Sequence, residues 1–569
     1  MTATLDAATR RYRWIALSNT TAAVFMSALD GSIVLIALPP IFRGIHLDPL
    51  APSSIGYLLW MIMGYRLVQA VLVVTVGRFG DMFGRVRIYN AGFVVFTAAS
   101  ILLSVDPFTR GGGATWLIGG RVLQAIGGSM LMANSAAILT DAFPASQRGF
   151  ALGINQVAAL AGQFVGLVAG GLLASIDWRL VFWINVPIGL FGTIWAYLQL
   201  VETGERKPGR IDWAGNVTFA LGLGALLWGV TQGVQPYHGQ AMGWSNPMVV
   251  LELGGGIILL GLFAFLERRA VDPMFDLALF RIRAFSAGNV AAFLVSLVRG
   301  GLQFILVIWL QGIWLPMHGY SFSRTPLWSG VFLLPMTVGM LLAGPLSGFL
   351  SDRFGSRRLA TSGLVVFGVS LLGLLALPVS FSYPPFAVLI TLNGIGGGMF
   401  AAPNTSSIMG SVPANQRGEA SGMRATFMNS GTALSIGVFF SIMIAGLARH
   451  LPQALWSGLV ARGVPVAAAQ HVATLPPVAS LFATLLGVNP IAHLLAASHV
   501  LANLADPAAV TSPRFFAHLL SHPFGEGLAP VLWASVICTV AALLASASRG
   551  RDDRRELEAS IVVDVDAGH

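Results

Sequence analysis

The chain has 569 residues and a mass of 60.0 kDa; 55% of its residues are hydrophobic, 10% are charged, and the mean hydropathy is +0.75. An average soluble domain carries about a quarter charged residues, so this composition cannot cover a water-facing surface; disorder and fibrous repeats are excluded too, and one cysteine, Cys538, excludes an intrachain disulfide framework. A net charge of +9 and a pI near 10.4 would suit a nucleic-acid binder, but the placement of the basic residues points to a membrane instead.

A bilayer core of ~30 Å needs about 20 apolar residues in a helix. Runs of that kind begin near Trp14, Ile55, Tyr89, Trp116, Gly149, Leu180, Trp213, Met248, Phe285, Leu327, Leu359, Phe386, Glu419 and Leu528. They lack the alternation of a barrel strand, so the expected fold class is an all-α polytopic membrane protein with fourteen spans. The tail holding Arg10, Arg11 and Arg13 resembles a signal-peptide start. The run behind it is too long for one and contains Asp30, so it reads as a retained first span.

Span two carries Arg66 and Gln69. The loop after it reads Gly77-Arg-Phe-Gly-Asp-Met-Phe-Gly-Arg-Val-Arg87. Its glycines let helix ends approach closely, Asp81 can cap a neighbouring helix, and Arg85 and Arg87 can hold carboxylates or helix C-termini. Together with Gly77 and Gly84 they form an expected cytoplasmic latch. Span four brings Arg121 and Gln124. Span five brings Asn155 and Gln156, then Gly162, Gly166 and Gly170, a ladder suited to close helix packing. Spans seven and eight lie within 202–284. Span nine holds Arg299 and Gln303, and span thirteen holds Arg424. The connection Ala448–Gly527 carries six of the ten histidines and is broken by Pro476, Pro477, Pro490, Pro507 and Pro523; its runs, such as Val478–Val488, are too short to span. It is expected to form an external cap of interfacial helices, its histidines being loop residues or a pH or metal sensor.

With the amino terminus inside, 22 of the 33 Lys and Arg residues fall on the cytoplasmic side and 7 outside. This strong positive-inside bias puts both termini in the cytoplasm and accounts for the basic pI without nucleic acid.

The chain repeats itself. Pro144-Ala-Ser-Gln-Arg-Gly-Phe-Ala-Leu-Gly153 recurs as Pro413-Ala-Asn-Gln-Arg-Gly-Glu-Ala-Ser-Gly422. Gly77, Asp81, Gly84 and Arg87 recur as Gly348, Asp352, Gly355 and Arg358, and Gly127-Gly128 with Asn134 recur as Gly397-Gly398 with Asn404. Spans one to six thus pair with nine to fourteen, giving halves over 1–201 and 285–548, a two-helix insert over 202–284 and a tail over 549–569. Parallel halves about an axis normal to the membrane are one transporter plan, with the substrate site between them.

Five charges lie deep in the spans: Asp30, Arg66, Arg121, Arg299 and Arg424, with Glu252 nearer a boundary. Each costs about 2.5–3.5 kcal/mol at a helix centre, so each must pair or line water. Asp30 is the one deep acid, Arg121 is its natural partner, and Gln124, one turn from Arg121, joins them in the expected proton-coupling set. Arginines in excess make the expected cavity positive, so neutral or anionic amphiphiles are expected as substrates, contacting Arg299, Gln303 and Arg424, with Arg66, Gln69, Asn155 and Gln156 as further candidate lining residues of the cavity.

The loop pattern Gly-x-x-x-Asp-x-x-Gly-Arg-x-Arg, together with Leu29–Pro39, Gly120–Gly128 and Trp178–Pro187, resembles the major facilitator superfamily, specifically its fourteen-span drug:proton antiporter branch. That resemblance implies two six-helix bundles rocking about a central cavity (spans seven and eight inserted), proton coupling through the fourth-span Arg121, and efflux of small amphiphiles. The branch's fifth-span signature Gly-Pro-x-x-Gly-Gly departs here to Gly166-Leu-Val-Ala-Gly-Gly171, so Leu167 keeps a hydrogen bond that proline would remove. Two alternatives stay open: a proton- or anion-coupled symporter, or a lipid-handling or scaffold protein working through its cap. No Walker loop or hydrolase motif is present. The expectation is therefore a monomeric multi-pass transporter of the cell membrane, not an enzyme, with a proton gradient in place of any cofactor or metal. Its partners would be protons, a small amphiphilic substrate and lipid, with no nucleic acid.

Overall fold

Backbone N–H and C=O groups find no water in a bilayer core, so each apolar run must close its hydrogen bonds internally. The computed structural model of the chain, which describes residues 2–549 apart from 52, 145–146, 204–210, 271, 414–415, 498–500, 502–503 and 505, shows helices throughout. The amino-terminal half is built from α1 (Thr2–Gly44), α2 (Ser54–Phe83), α3 (Arg85–Ser104), α4 (Arg110–Ala142), α5 (Arg148–Ile176), α6 (Leu180–Trp183) and α7 (Asn185–Gln199), the last two forming one span. The insert is the hairpin of α8 (Trp213–Gly233) and α9 (Pro247–Glu267). The carboxy-terminal half comprises α10 (Arg283–Ile308), which continues through a π-helical stretch (Trp309–Trp314) into α11 (Leu315–Met317), then α12 (Thr325–Phe354), α13 (Ser356–Leu375), α14 (Tyr383–Gly410), α15 (Arg417–Val460) and α20 (Pro513–Ala547). Between α15 and α20 lie α16 (Val466–Ala473), α17 (Pro477–Leu486), α18 (Pro490–Ala497) and α19 (Pro507–Thr511). Fourteen helices among the described residues are long and apolar enough to cross a membrane, the number that the run lengths predict.

The same packing scheme occurs twice. In one half α1 packs on α5, α3 on α4 and α2 on α4; in the other α10 packs on α15, α13 on α14 and α12 on α14. Close approaches fix the register. Gly162 lies against the backbone of Phe25 and Leu29, and Gly431 against that of Phe293 and Leu297. Gly127 lies against Phe96 N and Gly92 O, and Gly396 against Phe367 N and Gly363 O. The structure thus pairs Gly127 with Gly396, one residue earlier than the sequence match with Gly397. A run of three glycines offers two registers to sequence comparison, and helix contact selects one. Asn134 and Asn404 also part ways: Asn134 donates to Met130 O of its own helix, whereas Asn404 donates to Gly288 O of α10 and accepts from Arg549.

The halves meet along two seams, α5 with α12 and α2 with α15, and α8 packs on both α2 and α15. Val230 of α8 reaches Gly437 of α15, beside Met63 of α2, so the insert covers a seam and α9 presents Met248, Leu251, Ile257 and Ile258 outward.

The cap differs from its expectation. Helices α15 and α20 overrun the spans, leaving 461–512 instead of 448–527 as the connection. Helix α17 packs inside the protein: Val478, Leu481, Phe482, Ala483, Leu485 and Leu486 are all buried, and so are Ser480 and Thr484 on its one polar face. Pro477 opens it and Gly487, at φ +71°, closes it. It touches α1 and α2 of one half and α15, α20 and the π stretch of the other.

Gly84 and Gly355 break α2 from α3 and α12 from α13 at φ +111° and +87°, with ψ of 125° and 137°, a region that only glycine occupies readily. Alanine at either is expected to cost about 1–3 kcal/mol, more at Gly84, where a Cβ would stand 2.6 Å from Glu202 Oε2. Thermal unfolding of the purified variants measures this.

Candidate functional site

Asp30 sits near the middle of α1, where no water can hydrate a carboxylate, so its surroundings must supply the donors. It is 0% exposed and Arg121 of α4 is 2% exposed. Arg121 Nη1 donates to Asp30 Oδ2 at 2.5 Å. Gln124 Nε2, one turn along α4, donates to Asp30 Oδ1 at 2.9 Å, and its own Oε1 accepts from Arg121 at 2.5 Å. Asn185 Nδ2, at the start of α7, donates to Asp30 Oδ1 at 2.9 Å, and Gln124 also reaches Ser100 Oγ of α3. The Tyr65 ring of α2 lies 4.0 Å from the Arg121 guanidinium. The carboxylate therefore joins α1, α4 and α7 through charge-assisted bonds. The predicted partners Asp30, Arg121 and Gln124 are brought together. Asn185, Ser100 and Tyr65 were not singled out by sequence reasoning, although Asn185 stands inside the Trp178–Pro187 motif and is the one amide there.

The carboxy-terminal half repeats the polar scaffold without the charges. Asn393 donates to Ser370 Oγ at 2.9 Å, as Gln124 does to Ser100. By the register above, Asp30 corresponds to Val298 and Arg121 to Ile390, both fully buried.

The remaining deep arginines form no ion pair with Asp30, although Arg66 is close to it and shares the Tyr65 ring with Arg121. Arg66 Nη1 donates to Gln69 Oε1 at 3.2 Å, and Nη2 lies 3.2 Å from where a Cβ on Gly31 would stand. Arg299 Nη2 crosses between halves to Gln163 Oε1 of α5 at 3.1 Å. Arg424 Nη1 reaches Met428 Sδ within its own helix, and Gln303 is half-buried one turn beyond Arg299. Asn155 does not face the space between halves: it accepts from Thr21 of α1 and donates to Ser135 of α4, a cross-link inside one bundle. Gln156, next to it, is exposed.

At the end carrying the Gly77–Arg87 loop, Arg85 holds Asp81 at 2.7 Å and Asp141, in the last turn of α4, at 2.6 Å. Glu202 accepts from the backbone N–H groups of Arg85 and Val86 and so caps α3. Gly77 faces Ala133 with room to spare, and Arg87 and Arg358 are exposed. The Asp352 side chain lies outside the described residues. The loop ties one half together. Residues that the motif leaves unspecified tie each half to the segment that connects them: Arg78 pairs with Asp272 at 3.4 Å, and Glu419 of α15 accepts from Asp276 N at 2.9 Å.

At the cap end the seal is backbone chemistry. Pro40 has no N–H, so the carbonyl of Ile36 loses its helix partner. Gln311, buried in the π stretch, donates to it at 3.1 Å and to Ser329 of α12 at 2.7 Å. The Phe42 and Phe482 rings meet edge to face at 5.8 Å. Gly162, Gly166 and Gly170 carry α5 against the α1 backbone at Phe25, Leu29 and Ile33, as the ladder predicts. On the neighbouring face of α5, the Leu167 carbonyl abuts Gly330 and Gly171 abuts Leu327, with no room for a Cβ at either glycine. The altered signature thus lies on the seam between halves. Nearby, outside the spans, Arg179 donates to Asp106 O at 3.1 Å, and burial raises the Asp106 carboxyl above its ordinary pKa.

The sequence profile of the Major Facilitator Superfamily matches residues 20–436 and 288–548. The chain is 29% identical over 441 residues to the tetracenomycin C resistance and export protein of Streptomyces glaucescens, covering 77% of each chain. It is 30% identical over 466 residues to the multidrug resistance protein Stp of Mycobacterium tuberculosis, covering 81% of each, and 29% identical to the riboflavin transporter RibZ of Clostridioides difficile, covering 77% of this chain and 90% of that one. Among solved structures, a bacterial homologue of the human lysosomal transporter Spinster, inward-facing and unoccupied, superposes with a TM-score of 0.57 at 16% identity over 94% of this chain and 97% of that one, a likeness of fold.

Proposed function

The chain belongs to the major facilitator superfamily, a transporter and not an enzyme, and on that premise we propose that it is a proton-coupled exporter of drug-like amphiphiles. The bundles would rock about the space between them, with the basic end and both termini in the cytoplasm of a cell-membrane protein. The observation that carries this reading is the Asp30 site. A carboxylate that joins α1, α4 and α7 can be neutralised by a proton in one orientation of the bundles and re-paired with Arg121 in the other. The export and resistance roles that give the Streptomyces and Mycobacterium relatives their names support the outward direction. Arg78 with Asp272 and Glu419 would then form the cytoplasmic latch, and the cap-end seal the outer gate.

Accumulation of an amphiphilic dye in cells producing the protein tests the coupling. A protonophore is expected to raise accumulation severalfold, to the level of cells lacking the protein. Accumulation unchanged by the protonophore overturns the reading. A second reading, symport, is favoured by Leu167, which leaves α5 without the kink that the antiporter signature supplies; a protonophore that lowers accumulation selects it.

A further inference from the structure

The two halves hold two guanidinium groups at matching positions, and neither has a carboxylate. Gly162 on Phe25 and Leu29, and Gly431 on Phe293 and Leu297, set the correspondence of α1 with α10. Two residues on from Leu29 is Gly31; two on from Leu297 is Arg299. Gly31 has no side chain, and the Arg66 guanidinium of α2 lies over it. One half therefore reaches this level with Arg66 and the other with Arg299, whose partner Gln163 follows the Gly162 that lies on Phe25 and Leu29, so both guanidinium groups stand beside the same stretch of α1.

Neither arginine forms an ion pair among the described residues. Each spends one N–H on a neutral amide, Gln69 or Gln163, out of the five donors that a guanidinium carries. The deep acid that could neutralise them, Asp30, is already held by Arg121, Gln124 and Asn185. Both side chains are partly accessible, so a solute can reach them, and like charges near helix midpoints are costly unless water or an opposite charge joins them. The missing partner is an anion, and the planar fork of arginine matches a carboxylate better than a spherical ion.

We propose that Arg66 and Arg299, steadied by Gln69 and Gln163, form a clamp for the carboxylate of an amphiphilic organic anion, one arginine from each half. An anion held by both halves favours the arrangement that brings them together, so this substrate class would promote the rocking motion. The clamp rests on the transporter reading and names its substrate class.

Calorimetric binding to the purified full chain in detergent, with no gradient, tests the clamp with three isosteric probes: 2-naphthoate, 2-naphthamide and 2-naphthylmethylammonium. Naphthoate is expected to bind at least tenfold more tightly than the amide, with the ammonium weakest. Arg66→Gln and Arg299→Gln should each erase that preference, while Arg299→Lys, which keeps the charge and reports on folding, should keep part of it. Equal affinity for the three probes, tightest binding of the ammonium, no saturable naphthoate binding, or a preference untouched by both glutamines would overturn the clamp. Because binding needs no proton gradient, a chain that prefers naphthoate but fails the protonophore experiment loses the coupling reading and keeps the clamp; the reverse result loses the clamp alone.

Discussion

Asp30→Asn is expected to remove proton-driven transport, by two orders of magnitude or more, while the protein still folds. Asparagine keeps the shape and one acceptor oxygen for Gln124 and Asn185, but its amide nitrogen turns a donor toward Arg121 and it cannot carry a proton, so some stability is lost along with the coupling. One proton crossing 100 mV supplies about 2.3 kcal/mol, enough for roughly a 50-fold substrate gradient, and that work disappears with the carboxyl. Uptake into inside-out proteoliposomes under an imposed pH gradient gives the measurement, with substrate exchange in the absence of a gradient as the control. Undiminished gradient-driven uptake in Asp30→Asn vesicles would refute the role. The converse variant separates coupling from structure. Arg121→Ala leaves a buried carboxylate without its cation, a change that costs about 3–5 kcal/mol, whereas Asp30→Asn with Arg121→Gln removes both charges and should regain most of that stability. Unfolding midpoints of the three proteins read the difference.

The second large effect is expected at the cap end. Helix α17 lies between the halves, with Phe482 against Phe42 of α1 and Thr484 and Leu485 beside Gly312 of the π stretch. If the outer end opens during transport, α17 must part from one of these walls. Joining positions 42 and 482 with a short bifunctional thiol reagent, in a Phe42→Cys, Phe482→Cys, Cys538→Ala protein, is expected to lower transport to background. The native chain has one cysteine and none at the seam, so with Cys538 replaced the reagent joins only these two positions, and the same protein before cross-linking gives the reference rate. Cross-linked vesicles that transport at the uncross-linked rate would show that α17 does not move with the gate. The geometry argues for motion: an apolar helix of ten residues that pairs with neither half exclusively can release one of them at the cost of a limited apolar surface.

The order of the elements was legible because span length and loop charge are one-dimensional properties. About 20 apolar residues cross a bilayer wherever they stand in the chain, and the loop arginines set the expected orientation without reference to any partner. The Asp30–Arg121 pair was legible for a similar reason: one deep acid needs a deep cation, and Asp30, nine residues before Pro39, and Arg121, five after Trp116, stand at matching depth in their spans. The excess of arginines over acids was likewise countable. Gly162, Gly166 and Gly170 announced a close helix contact by their spacing alone.

Other features needed the third dimension. Asn185 reaches Asp30 from 155 residues away, and nothing in its local spacing distinguishes it from Asn155, which cross-links the interior of one bundle. Gln311 is defined by a carbonyl that Pro40 strips of its partner on another helix. The burial of α17, the match of Gly127 with Gly396, and Arg299 standing where the other half has Gly31 depend on helix rotation and register, which short-range packing between distant segments sets. The amino-acid sequence by itself determined how many helices cross, which family they resemble and which charges required an explanation, because those follow from transfer free energies summed along the chain. Only the tertiary structure decided which donor meets which acceptor, because a hydrogen bond reaches about 3 Å and a change in helix rotation or register moves a side chain beyond that.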